Sequence, residues 1–202
     1  MLPGKIHEMI LNEHTDISIQ DLLQLAREIG FSHAAPLDPQ ALVFREEVRA
    51  MCSADRCRNY GRSWSCPPAL GSLRQIAETA AEYAGGILVQ TTEPMEDDFD
   101  LKTIHEAAKL HQQHFDTLVR QVGRLCPDCL PMGAGGCRRC RKCTYPDRPC
   151  RHPDKLYPSM EAYGLLVSDI CIRSGLKYNY GPQTMTYTSC ILVRETGAGC
   201  EE

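Results

Sequence analysis

Two runs of cysteine hold seven of the chain's twelve. The first is Cys52-x4-Cys57-x8-Cys66, followed by Pro67-Pro68. The second is Cys137-x2-Cys140-x2-Cys143, with Cys150 seven residues on. Thiolates brought this close, in loops rich in Gly and Pro, point to a soft metal. In the second run, a C-x2-C-x2-C wrap re-aims one sulfur per turn at a different iron of a cuboidal cluster. A fourth cysteine in a proline context completes the set, and Cys150 after Pro149 is the candidate. Four thiolates also suit tetrahedral zinc, which usually takes them from two separated knuckles. Iron–sulfur, as [4Fe-4S], is therefore expected, with zinc as the alternative.

The first run can hold three irons of a cube and leave the fourth open to substrate, water or a ligand from elsewhere. Open metal positions are where Lewis-acid chemistry happens. Tyr60 and Trp64, the only tryptophan, are placed to shield a cluster from water. The plainer reading makes Trp64 core and Cys66 a buried thiol. The partition is also open. Cys66-Pro67 could complete the 137–143 set, leaving Cys150 to Cys52 and Cys57, as happens in two-cluster ferredoxins.

Gly133-Ala134-Gly135-Gly136, just before the second run, would let backbone amides approach cluster sulfides. Arg138, Arg139, Arg141, Lys142 and Arg151 surround the cysteines. They read as charge balance for an anionic cluster rather than a nucleic-acid patch, because the chain carries a net charge of −4. His152 could ligate or relay a proton. His111 and His114 could share a metal, but a histidine on an apolar seam, as His111 is, is more often a satisfied core residue. Glu161 reads as a first-turn carboxylate before an acid or base. Cys171 and Cys190 read as core, and Cys200 lies in a frayed tail.

These loops need a scaffold. Ser18 caps a helix that runs to Ile29 and stops at Gly30. Phe31 to Leu37 reads as a short strand ended by Pro36 and Pro39, and residues 40–51 as a helix delivering Cys52. Ser72 caps a helix reaching Tyr83, and Ile87 to Thr91 form a buried strand. Leu101, Ile104, Ala108, His111, Phe115, Leu118 and Val122 make one apolar seam on a helix over about 99–123. Residues 124–158 read as one long loop, which needs something to hold it. Ser159 starts a helix to about Ser174, and Thr184–Arg194 is a final strand. The expected fold is α/β or α+β: a single domain over residues 1–202, a small sheet flanked by helices, and metal loops 52–68 and 126–153 at one edge.

Bulk composition narrows the rest. The apolar fraction of 43% and charged fraction of 24% are those of a globular protein. Mean hydropathy is −0.33, no long apolar run offers a membrane span, and the N-terminus lacks a signal-peptide core. A cytoplasmic, thiol-reducing setting is expected, which disfavours a disulfide framework.

At the cysteines the chain resembles the DUF2284 family of predicted metal-binding proteins. The first stretch is Cys52-x4-Cys57-x2-Tyr60-Gly61-x2-Trp64-x-Cys66-Pro67-Pro68. The second runs from Gly133 through Cys137, Cys140, Cys143-Thr144-Tyr145-Pro146 and Pro149-Cys150-Arg151-His152-Pro153, then Pro158 to Gly164. The resemblance covers nearly the whole chain. It implies a small prokaryotic protein, common in anaerobes, that binds metal or iron–sulfur through the seven cysteines, with no assigned reaction. Cys126-Pro127-Asp128-Cys129 departs from that pattern. With Cys137 and Cys140 it could make a zinc site. It could also be a redox dithiol, or two thiols at a helix end.

The expectation is an iron–sulfur protein of anaerobic electron transfer or redox chemistry. It would carry one four-cysteine and one three-cysteine cluster and act on a redox partner protein or a small-molecule substrate. The alternatives are an enzyme using an open iron, and a zinc-binding structural or interaction module.

Overall fold

Two stretches rich in β-branched and apolar residues dominate the sheet. In the computed structural model, which describes residues 17–97 and 99–194, the strands are β1 (His33–Leu37), β2 (Gly85–Pro94), β3 (Leu130–Met132) and β4 (Thr184–Val193). They pair antiparallel throughout in the order β1-β2-β4-β3. The helices are α1 (Ile19–Ile29), α2 (Glu46–Ala50), α3 (Leu73–Ala80), α4 (Leu101–Leu125) and α5 (Val167–Arg173). This is an α+β arrangement. Among the described residues no helix is long and apolar enough to cross a membrane.

The central strands bury both faces, which is why they read as continuous apolar runs. Ile87, Val89, Ile191 and Val193 meet α1 and α4 on one side. Leu88, Cys190, Leu192 and Met132 meet α3, α5 and Met160 on the other. Gly86 is glycine for want of space: a Cβ there would lie 2.5 Å from the Ile191 carbonyl oxygen. Cys171 and Cys190 are fully buried, as expected of core thiols. Cys200 and the tail from Gly197 lie outside the described residues.

Several boundaries differ from expectation. Pro36 lies inside β1, tolerated because β1 is an edge strand. The helix expected over 40–51 is a 3-10 turn (Pro39–Ala41), a bridge from Phe44 to Leu165, then α2 and a second 3-10 turn (Met51–Ala54). The helix after Ser159 is likewise broken. Gly164 adopts φ +79° after the 3-10 turn Glu161–Tyr163, and a Cβ there would lie 2.8 Å from the Arg45 carbonyl oxygen. Leu165 pairs with Phe44 before α5 begins. The long loop contains β3, a strand too short for pattern reading. Leu101 is 64% exposed, because the α4 seam meets the sheet only from Ile104 on. There the Tyr187 hydroxyl donates to the Ile104 carbonyl oxygen at 3.2 Å.

His111 is the polar centre of that seam. Its Nδ1 lies 3.0 Å from Thr91 Oγ1 and its Nε2 2.8 Å from Ser189 Oγ, both hydroxyls projecting from the sheet. Both ring nitrogens are engaged, so this is a satisfied core histidine. Burial, and secondarily the charge of His114, push its pKa down to about 3. The unfolded chain takes up this proton below about pH 6.5, the fold only near about 3. Between those values the unfolded state holds more protons, so stability falls as the pH drops. His111→Gln is expected to flatten this acid slope by up to about 1.4 kcal/mol per pH unit between about pH 6 and 4. Urea denaturation across that range reads it.

Candidate metal centre

The first cysteine loop is shaped by tight turns and one carboxylate. Asp55 and Arg58 adopt left-handed φ of 49° and 58°. The Asp55 carboxylate accepts from the Tyr60 N–H at 2.9 Å and pairs with Arg62. Gly61 N–H donates to the Pro67 carbonyl oxygen at 2.9 Å, which folds Cys66 back into the protein. Cys52 is half-buried, Cys57 exposed and Cys66 buried. Burial pushes the Cys66 thiol up. The Ser65 hydroxyl opposes this, Cys57 adds to it, Ser63 opposes it, and Cys52 adds to it. Burial also raises Cys52, followed by Cys57 and Glu161, against Arg49. The three thiols of this run therefore sit within electrostatic reach of one another, with Glu161 beside them.

The second loop is zipped at its base. Gly133 bridges Ser159, its N–H donating to the Pro158 carbonyl oxygen at 2.8 Å. Arg139 then forks onto Asp116 of α4, with Nη1 donating to Oδ2 at 3.0 Å and Nη2 to Oδ1. Its Nε donates to the Lys155 carbonyl oxygen at 2.6 Å, and the guanidinium lies over the Tyr157 ring. The fork fixes a loop with little regular structure, and a bidentate pair fixes direction as well as distance.

The two loops interlock. The Trp64 indole N–H donates to the Arg148 carbonyl oxygen at 2.9 Å, and its ring meets Tyr145 edge-on with centroids 4.8 Å apart. Between the loops is a cavity of about 300 Å³, lined by Cys137, Cys140, Cys143 and Cys150 together with Ser63, Trp64 and Tyr145. Burial opposes ionisation of Cys143. The backbone N–H groups of Tyr145 and Trp64, the Ser63 hydroxyl and the Thr144 N–H overcome it and hold the thiol below the usual cysteine range. His152 N–H donates to Cys150 Sγ at 3.4 Å. Sulfurs that already accept hydrogen bonds are suited to thiolate ligation.

The four cysteines of the second run line one cavity, although among the described residues no three His, Cys, Asp or Glu side chains converge closely enough to hold a metal ion.

Cys150 lines the cavity with the 137–143 run, and Cys66 does not. Cys66 groups with Cys57 and Cys52. Cys126 packs in the apolar core under α4 with Cys129 against it, away from the cavity. Burial, then Cys126, push the Cys129 thiol up to about 11, the reverse of an activated dithiol. The glycine turn 133–136 is absent from the cavity wall, contrary to the expected approach of its amides. Tyr60 is exposed and does not shield the cavity, whereas Trp64 does. His152 lies at the cavity, His105 and His111 do not, and His114 packs edge-on against Phe31.

Sequence reasoning missed Ser63. It is 3% exposed, and its hydroxyl favours the ionised form of both Cys143 and Cys66, one thiol from each run. Its hydroxyl also lies 3.0 Å from that of Ser65. The signal was there: Ser-Trp-Ser immediately precedes Cys66. Asp116 was missed too, since nothing in the α4 pattern marks it as an anchor.

Asp116→Ala is expected to destabilise the fold by about 1.5–3 kcal/mol, the scale of a charge-assisted hydrogen bond lost from a half-buried guanidinium. Arg139→Lys should fail to preserve the anchor despite keeping the charge, because the planar fork is gone. Chemical denaturation of both variants checks this.

Over residues 35–193 the chain matches the family described as predicted metal-binding protein, DUF2284. No curated protein gives a significant match, and no solved structure does. With that match covering well over half of its length, the chain belongs to the DUF2284 family of predicted metal-binding proteins.

Proposed function

We propose that this chain is a cytoplasmic iron–sulfur protein that acts in electron transfer or redox chemistry. Cys137, Cys140, Cys143 and Cys150 would hold one [4Fe-4S] cluster, and Cys52, Cys57 and Cys66 a second. The carrying observation is the cavity of about 300 Å³ whose wall collects all four cysteines of the second run. Free thiols at all eleven described cysteines agree with a reducing setting. A bound [4Fe-4S] cluster supplies one-electron transfer.

The residues around the cavity support that role. Trp64 and Tyr145 meet edge-on and give the cavity an aromatic wall. The hydroxyl and N–H donors to Cys143 stabilise extra negative charge on sulfur, which favours the reduced state. A second reading, chemistry at an open iron, is favoured at the first run by one observation. Cys57 is exposed there, with the Glu161 carboxylate rather than a fourth cysteine beside Cys52.

Anaerobically purified protein is expected to carry about eight irons and two spectroscopic species. Cys143→Ser should remove one species and Cys66→Ser the other. About one zinc per chain without iron would contradict the proposal.

Ser63→Ala removes the hydroxyl that favours the thiolate form of Cys143 in one run and Cys66 in the other. Both midpoint potentials should move to more negative values while iron content holds. Potentials unchanged in redox titration would deny Ser63 that role.

A further inference from the structure

A second cavity, of about 330 Å³, lies between α4 and the glycine turn ahead of the second cysteine run. Its size falls at the lower end of small-molecule sites. The wall includes Lys109, Arg138, Gln113, Tyr187 and Ala134 to Gly136, and no carboxylate. Arg139 lines this cavity and the four-cysteine cavity alike, but its charge is taken up by Asp116.

Two sets of donors here are unused. Lys109 and Arg138 make no ion pair and donate no hydrogen bond among the described residues. The N–H groups of Ala134, Gly135 and Gly136 likewise find no acceptor, although Gly133 N–H does. Gly135 sits at φ +67°, and Gly136 presses against the Asn59 side chain, where a Cβ would collide. The positive φ of Gly135 favours glycine at the turn, and the turn leaves successive N–H groups without an acceptor among the described residues, beside Lys109 and Arg138. Backbone concavities of this kind bind anions. In an acidic chain, a cationic cavity without a carboxylate calls for an anionic occupant.

We infer that this cavity binds a small oxyanion, a phosphate or carboxylate group, held by Lys109, Arg138 and the free N–H groups of the glycine turn. Ala108 and Tyr187 offer apolar surface to an organic body attached to it. The occupant would sit one residue layer from the four-cysteine cavity, across Arg139. The inference does not depend on which metal that cavity takes.

Calorimetric titration of the full chain, purified anaerobically, tests this with inorganic phosphate, glycerol 3-phosphate and succinate. Saturable binding of at least one probe is expected. Lys109→Gln and Arg138→Gln should each weaken it by about tenfold, the loss of one charge-assisted contact. Arg124→Gln, at the far end of α4, should not. Binding of inorganic phosphate as tight as that of the organic probes would assign the site to the free ion, and tighter organic binding to a metabolite. No saturable binding of any probe, or binding indifferent to Lys109→Gln and Arg138→Gln, would overturn the inference.

Discussion

The fork from Arg139 to Asp116 sets the geometry of everything beyond β3. Among the described residues it is the only ion pair joining the long cysteine loop to a helix. Half-buried and bidentate, it fixes the direction in which Arg139 leaves the chain, and Cys140 follows immediately. The same guanidinium catches the Lys155 carbonyl oxygen and covers Tyr157, so one side chain binds the outgoing and returning arms of the loop to α4. Without it, the base pairing of Gly133 with Ser159 would hold the loop at its foot and leave the cysteines unplaced.

Once the second loop is placed, the first can lock onto it. Trp64 reaches the Arg148 carbonyl oxygen, and Ser63 lines the cavity with Cys143. The first loop therefore supplies two of the four donors that lower the Cys143 thiol, the Trp64 N–H and the Ser63 hydroxyl, although that cysteine lies about eighty residues on in the chain. Thiols this close repel one another when ionised, as the mutual raising of Cys52 and Cys66 by their neighbours indicates. A bound cationic metal centre would relieve that repulsion, which gives a family described as metal-binding a physical reason for such a crowded pair of loops.

The sequence carried the sheet's central strands, α1 with its capping box, the α4 seam and the core roles of Cys171 and Cys190 with little ambiguity, because periodicity and capping are local signals. It could not carry β3, where three residues make too short a pattern. It also missed the break at Gly164, whose cause is a close approach to Arg45 from a distant segment. The cysteine spacing pointed to the loops, but not to their interlocking. Ser63 and Asp116 act across long sequence separations, so neither shows a local pattern. Spacing leaves the partition of the cysteines open, and only the fold shows that Cys150 lines the cavity with the 137–143 run while Cys66 does not. The glycine turn, expected beside the cysteines, lines the neighbouring cavity instead, because spacing tells which residues are near in sequence and not which wall they form.

The central claim is that the four-cysteine cavity holds an iron–sulfur cluster rather than a single ion. X-ray absorption on anaerobically purified protein tests it most directly. The account predicts an iron edge with an all-sulfur shell and clear iron–iron scattering, lost in the iron fraction that Cys143→Ser fails to retain. A zinc edge with a sulfur shell and no metal–metal scattering would contradict it.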